Sequence, residues 1–359
     1  MRPSDAPPLL RDLASASTKA ADAYGISRLR AARTALRLVR ESGFGVGEAL
    51  AEGLLDPSMD DRVRDAHISR NVRRAAQDRL NPVSLEPFTE EKLLFYDYCR
   101  ASGIPVPELY GAVGRAGGWS RMSGRVISGR EAFSAFLSDI PGDIVVKPSF
   151  GMLGESIRVL TRTHGGLGDL GGSPVDPGVL YDEIRADPEF ALYLVQERLL
   201  NHPAIEEIAG SPVLQTLRLN TIVRPDGSVL VFGGTLKLAL GTASTDNFHG
   251  GETGNGYCSV SLDEGELGPL RLRAPAGFGL RQTPTVPGTG TRVAGRRIPF
   301  AEDACRLVRR AALLFLPMRT LGWDIALTPG GPVVIEANNW WYPFGPLPAE
   351  AWALLVGDD

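Results

Sequence analysis

Thr320-Leu-Gly-Trp-Asp-Ile-Ala-Leu-Thr-Pro-Gly-Gly-Pro-Val-Val-Ile-Glu-Ala-Asn338 is the stretch on which the reading of this chain turns. Two apolar runs, 325–327 and 333–335, flank Thr-Pro-Gly-Gly. β-Branched residues around a Pro/Gly turn predict a hairpin. Asp324 opens its first strand and Glu336 closes its second, so antiparallel pairing brings two carboxylates together. Asn338, two residues beyond Glu336, shares its face. Three hard oxygen donors at one hairpin end suit magnesium, which keeps several waters and shares its shell with nucleotide phosphates. A plain hairpin with acidic ends carries the same residues, so a second stretch must supply the phosphate contacts.

Residues 143–160 are that stretch. The apolar strand Asp-Ile-Val-Val-Lys ends in Lys147, an unusual place for a long cation unless an anion meets it. The loop that follows carries Ser149, Gly151, Gly154 and Ser156, small residues that let backbone N–H groups approach phosphate oxygens. No Gly-Lys-Ser/Thr closes the loop, so it is not a Walker loop, and a glycine-rich hairpin turn is the commoner source of such a sequence. A third piece, Leu192-Tyr-Leu-Val-Gln-Glu-Arg-Leu199, is an apolar strand with a polar end. Gln196 and Glu197 could read an adenine edge while Leu199 packs on the ring; a strand end at the surface is the plainer account.

The remaining composition narrows the class. Apolar residues make up 43% and charged residues 22% of 359, enough for a large core and for two or three domains. A net charge of −4 argues against a general nucleic-acid binder. Cys99, Cys258 and Cys305 are far apart and odd in number, which fits reduced thiols in the cytoplasm. No apolar run approaches the roughly 18 residues of a membrane span, and prolines and aspartates interrupt any signal-peptide core.

Residues 1 to about 20 read as a loose tail. An arginine-rich helix is predicted over 27–42 with Leu29, Ala32, Leu36 and Val39 inward, Ser27 as its cap and Gly43 at its end. Further helices are predicted at 46–55, 60–80, from a Thr89 cap, at 131–138, 179–186 and 301–316. Residues 114–129 and 163–178 read as glycine-rich loops, and 268–299 as irregular. A second hairpin is predicted over 213–240. The order predicts α+β with antiparallel sheets, divided as a helical region 1–80, a linking part 81–142, a small subdomain 143–199 and a C-terminal subdomain 200–359.

These pieces in this order resemble the ATP-grasp superfamily. The resemblance runs through Lys92, Gly103-Ile-Pro-Val-Pro107, Val145-Val-Lys-Pro-Ser149, the glycine loop, Val195-Gln-Glu197 and Asp324…Glu336-x-Asn338. The chain is most similar to the sugar-transfer-associated ATP-grasp family. That likeness rests on Asn201-His-Pro203, Gln215-Thr-Leu-Arg218, Thr245-Asp-Asn-Phe-His-Gly-Gly251, Gly322-Trp-Asp324 and Gly295-Arg-Arg-Ile-Pro299, within about 40–345.

The resemblance implies two α+β subdomains clasping ATP, and it implies site residues. Lys92 and Lys147 would touch phosphates, residues 149–156 would close over them, and Gln196, Glu197 and Leu199 would hold adenine. Asp324, Glu336 and Asn338 would bind a pair of magnesium ions. Arg218 and Lys237 would face the γ-phosphate or an acyl phosphate. Asp246, Asn247 and His249 would belong to a loop over the acceptor, with His249 a possible general base. The sequence departs from many relatives at the hinge (Gln196, Arg198) and at Trp323, which stands where peptide ligases often have arginine. Glu206 and Glu207 are the nearest candidates for the ribose.

The implied reaction activates a carboxylate with ATP and joins it to an amine, on a small or glycan-linked acid; a homodimer is possible. A kinase acting on a hydroxyl and a nucleotide-binding module without turnover are the rivals. Trp340, Trp341, Tyr342 and Phe344 could stack on a sugar or an aromatic substrate, or pack as core.

Overall fold

The computed structural model describes residues 8–151, 154, 156–242 and 244–357. Its body is α+β with two antiparallel sheets, as the order of elements predicts. The first sheet holds eight strands: β1 (Leu109–Gly114), β2 (Gly117–Ser120), β3 (Val126–Ile127), β4 (Ile144–Pro148), β5 (Arg158–Thr163), β6 (Gly166–Gly168), β7 (Pro174–Val175) and β8 (Leu192–Glu197). They lie in the order β3-β2-β1-β8-β4-β5-β6-β7. The second sheet holds β9 (Thr216–Val223), β10 (Val229–Leu238), β11 (Gly256–Val260), β12 (Leu267–Arg273), β13 (Leu280–Thr283), β14 (Thr320–Thr328) and β15 (Gly331–Asn338). Their order is β13-β12-β11-β10-β9-β14-β15.

Among the described residues twelve α-helices surround them: α1 (Pro8–Tyr24), α2 (Arg28–Ser42), α3 (Val46–Ala51), α4 (Asp61–Asp65), α5 (Arg70–Leu80), α6 (Pro87–Glu90), α7 (Lys92–Ala101), α8 (Arg130–Asp139), α9 (Pro177–Ala186), α10 (Pro203–Ala209), α11 (Ala301–Leu314) and α12 (Ala349–Val356). Helices α8 and α9 share one apolar core with the first sheet. Helices α7, α10 and α11 cover one face of the second sheet. Helices α5 and α12 cover its other face around Ile222, Phe232 and Trp341. Strands β9 and β14 are therefore buried along their whole length, and any polar residue they carry must find its partner inside.

Several sequence expectations change. Pro8–Tyr24 is a helix, not a tail, because Ala16 and Ala20 pack on α2 and α3; residues 1–7 lie outside the described residues. Helix α2 has the expected Ser27 cap and the left-handed Gly43, but it buries Ala31, Ala35 and Leu38 while Leu29 is 60% exposed. An alanine stripe, not the bulkier one, lets the helices approach closely. The 60–80 helix is two, since Ser69 caps a new start at α5. Glu91, not Thr89, caps α7. Residues 114–129 contain β2 and β3, 163–178 contains β6 and β7, and 268–299 contains β13 and most of β12; all but β12 have four residues or fewer, too short to show a period. Gly118 is required where it stands, since a Cβ there would stand 2.4 Å from the Ala112 carbonyl across the β1–β2 pair. The cut expected at 142/143 falls inside the first sheet, where β1 pairs with β8 and β8 with β4. No helix among the described residues is long and apolar enough to cross a membrane.

Candidate active site

The hairpin forms as expected, with Asp324 opposite Glu336 and Gly322 opposite Asn338. On its other side β14 pairs with β9, which sets Arg218 opposite Asp324. Strand β10 pairs with β9 through Thr235 and Arg218, and Lys237 follows two residues along the same face. Four neighbouring strands thus present Lys237, Arg218, Asp324 and Glu336 as one row of charge on the second sheet.

The row is tightly bonded. Arg218 donates to both Asp324 oxygens at 2.7 Å, a bidentate pair. Lys237 Nζ lies 3.2 Å from Asp324 Oδ1 and 3.6 Å from Asp246 Oδ1. Burial alone would raise the Asp324 carboxyl, yet Arg218 and Lys237 hold it far below the usual carboxylate range. Glu336 goes the other way, raised by burial and by the neighbouring Asp324 charge. Asp246 is also raised, chiefly by burial, with Lys237 opposing. Its carboxylate accepts from Thr216 N at 2.7 Å and Thr216 Oγ1 at 2.6 Å.

The first sheet contributes the facing wall. Lys147, at the end of β4, is 4% exposed and donates to Tyr96 Oη at 2.7 Å; Tyr96 in turn donates to the Ile335 carbonyl at 3.0 Å. Burial, with Lys92 adding to it, pulls the Lys147 ammonium down to about 7. Lys92 opens α7 and donates from Nζ to the Gly151 carbonyl at 2.6 Å, while its N–H bonds the Ser149 carbonyl at 2.8 Å. The start of the glycine loop is thereby held against α7, and Ser149 Oγ bonds Glu91 as well.

Between the walls runs a cleft of about 360 Å3. Lys92, Lys147, Gly151, Gly154, Gln196, Leu199, Arg218, Lys237, Asp246, Asn247, Asp324, Glu336 and Asn338 all line it, so most of the predicted site residues converge. Four do not line it. Ser149 is buried against Glu91. Ser156 lies in the loop with φ of 54°. The Glu197 carboxylate accepts from the Glu108 N–H at 3.2 Å. The His249 side chain is 48% exposed on a short turn and lies 3.7 Å from Glu252. The loop expectation over 149–156 includes positions 152, 153 and 155, which lie outside the described residues. Glu207 is paired with Arg296 at 2.8 Å on the surface and lines no part of the cleft, nor does Glu206.

Sequence reading missed two lining residues, Thr216 and Glu90, and one that stands behind the lining, Tyr96. Tyr96 sits four residues after Lys92 on the same helix face, a spacing that pointed to it. Thr216 is the anchor of Asp246, a pairing with no local signal. Glu90 lines the cleft and is raised by burial and by Glu336. Trp323 is wholly buried, donating to Thr221 Oγ1 at 2.9 Å, so it faces away from the cleft. Gly322 is forced, since a Cβ there would stand 2.4 Å from Trp341 Cβ and 3.0 Å from Asn220 Oδ1.

Asp324, Glu336 and Asn338 are oxygen donors without histidine or cysteine, and no cluster of three or more His, Cys, Asp or Glu exists among the described residues. Burial and the Asp324 charge raise Glu336, no cation among the described residues pairs with it directly, and this donor set suits a hard divalent cation. Asp324 keeps lone pairs beyond those used by Arg218.

Two antiparallel sheets with a charged cleft between them are the ATP-grasp architecture. The chain belongs to the sugar-transfer-associated ATP-grasp family, whose model matches residues 71–345. No curated protein matches it in sequence. Among solved structures it is similar to an N5-carboxyaminoimidazole ribonucleotide synthetase in its ADP complex, at 12% identity over 77% of this chain and 52% of that one, TM-score 0.41. It is also similar to D-alanyl-alanine synthetase A from Vibrio cholerae, at 13% identity over 72% and 58%, TM-score 0.40. An L-amino acid ligase from Bacillus licheniformis matches at 12% identity over 70% and 40%, TM-score 0.35. The chain spans about half the length of the solved structures it matches.

Proposed function

We propose that the protein is an ATP- and magnesium-dependent ligase that joins a carboxylate to an amine and releases ADP and phosphate. The observation that carries this reading is the buried row Lys237–Arg218–Asp324–Glu336 facing Lys147 and Lys92 across one cleft. Gln196, whose buried Oε1 has no partner among the described residues, and Leu199 would hold the adenine end. Lys92 and Lys147 would meet the phosphates, displacing their present contacts to Gly151 and Tyr96. Asp324, Glu336 and Asn338 would hold magnesium, which supplies charge neutralisation at the transferring phosphoryl group.

The substrate carboxylate forms a bond to the γ-phosphorus as the bond to the β-phosphate oxygen breaks. The amine then forms the C–N bond, phosphate leaves with the C–O electron pair, and the amine proton passes to phosphate or water. Arg218 and Lys237 would stabilise the oxyanion, worth a few kcal/mol per well-placed donor. Asp246 anchors the 242–256 loop onto β9 and keeps it over the cleft, where it would exclude water. An ADP-release screen over acid and amine pairs with magnesium, followed by mass spectrometry, tests the reading. Turnover requiring both partners is expected. Release with a hydroxyl compound alone would replace the ligase by a kinase, and no release with any pair would remove catalysis.

A further inference from the structure

Beyond Asn338 the cleft continues along a segment that lies outside the residues assigned above to the nucleotide. Trp340, Tyr342 and Phe344 line it, while the alternate Asn339 and Trp341 are buried. The buried members fix the segment. Asn81 donates to Asn339 Oδ1, Trp341 Nε1 donates to Thr320 Oγ1 at 3.0 Å, and Gln77 donates to the Trp341 carbonyl at 2.9 Å. Of the aromatic run, only Trp341 is wholly core.

The lining rings are held at their polar edges by the N-terminal helices. Trp340 Nε1 donates to Asp78 at 2.8 Å, and the Arg74 guanidinium lies 3.3 Å from the Trp340 ring centre. Tyr342 Oη bonds Glu52, and Arg73 lies 4.9 Å from the Tyr342 ring. Arg74 occupies one face of Trp340, so the ring meets the cleft with what remains. A half-exposed aromatic wall with a polar rim fits a ligand that has apolar ring faces and hydroxylated edges, which is a sugar. A small amino acid would leave such a wall uncovered.

Charge narrows the class further. Asp78 is already paired with Arg74 at 3.2 Å. Arg73 is 9% exposed, and its Nη1 has no acceptor among the described residues. At the catalytic end Arg218 stands 6.0 Å from the Phe344 ring. Neither Arg73 nor Arg74 lines the cleft; Arg218 does, and it keeps N–H donors beyond the two given to Asp324, so it is the guanidinium that an anion entering the cleft meets.

Resting on the ligase reading above, we propose that this half of the cleft binds the acid substrate as a sugar acid, a pyranose bearing a carboxylate, with its ring on Trp340 and Tyr342 and its carboxylate toward Arg218. The N-terminal helices then belong to the substrate site, since Arg73, Arg74 and Asp78 of α5 and Glu52 after α3 set the wall.

The test is a titration of the full chain, without nucleotide, using D-glucuronic and D-galacturonic acids against glucose, N-acetylglucosamine and D-alanine, read by calorimetry and tryptophan fluorescence. Saturable binding of a uronic acid is expected, about ten-fold or more tighter than the neutral sugars. Trp340→Ala should weaken it by about ten-fold or more, and Trp340→Tyr should recover much of the loss. Magnesium–ADP affinity should be the same in all three proteins, which also reports that each is folded; should Trp340→Ala not fold, the ligand ranking of the unaltered chain decides. Preference for D-alanine, equal binding of neutral and acidic sugars, no sugar-acid binding, or undiminished affinity in Trp340→Ala would overturn the proposal. Loss of magnesium–ADP binding in the unaltered chain would instead remove the ligase reading, a result the sugar titration cannot mimic.

Discussion

Asp324 concentrates the electrostatics of the site. It neutralises Arg218 and Lys237 at the buried floor of the cleft, so Asp324→Asn leaves two buried cations without their shared partner. Urea denaturation should show a loss of about 3–5 kcal/mol. Glu336 has no cation within ion-pair distance among the described residues, and burial favours its neutral form. Glu336→Gln should therefore change stability by well under half as much while abolishing ADP release. A variant with near-normal turnover would take Glu336 out of the metal set. Lys147 gives a pH signature. Its ammonium titrates at about 7 in the folded protein, against an unfolded value of 10.5. Between these values the unfolded chain binds the extra proton, so stability rises with pH from about 7 to 10.5 and is level below about 7, where both states carry the proton. The stability of Lys147→Met relative to the unaltered protein should thus be greatest near pH 7 and least near pH 10, measured by denaturation at several pH values. A constant difference would mean that Lys147 stays charged. The Asp324–Glu336 contact could be read from a hairpin's period alone. The grip of Arg218 on Asp324 could not, because it joins strands 106 positions apart.

Among elements, the 242–256 loop is braced from within by one amide, Asn255, besides its anchor at Asp246. Asn255 Oδ1 accepts from Leu240 N and Gly241 N, and its Nδ2 donates to the Thr245 and Asn247 carbonyls at 2.9 Å. Gly154 of the facing loop sits so near that a Cβ there would meet Thr245 at 2.9 Å. Asn255→Ala should release the loop, and amide hydrogen exchange should show lost protection at 240 and 241 with β9 unaffected. Retained protection would place the loop's order elsewhere. Elements with a strong period or sharp ends, such as α11 and the β14–β15 hairpin, were legible in the sequence. Helix α2 was legible in extent but not in orientation, since Ala31 and Ala35 are weak hydrophobic signals that win by allowing close packing. The short strands β2, β3, β6, β7 and β13 depend on neighbours for their pairing and leave little trace in composition.

For the molecule as a whole, the first sheet meets α7, which packs on the second sheet, through polar links that include Lys147 to Tyr96, Lys92 to Gly151 and the Lys92 N–H to Ser149. Both lysine side chains are groups that phosphates would claim. Nucleotide binding should therefore exchange their links for contacts through the ligand. Small-angle scattering with magnesium and a non-hydrolysable ATP analogue should give a smaller radius of gyration than the protein alone. An unchanged radius would mean that the sheets already stand at their closed separation. Gly322 carries a consequence of another kind. The crowding of its α-carbon by Trp341 and Asn220 closes the position two before Asp324 to any side chain. In genetic terms, the counter-charge for Asp324 is not free to migrate from β9 to β14 by one codon change. A saturation library should return non-glycine codons at 322 only where codon 341 encodes glycine, because the clash is with the Trp341 Cβ itself.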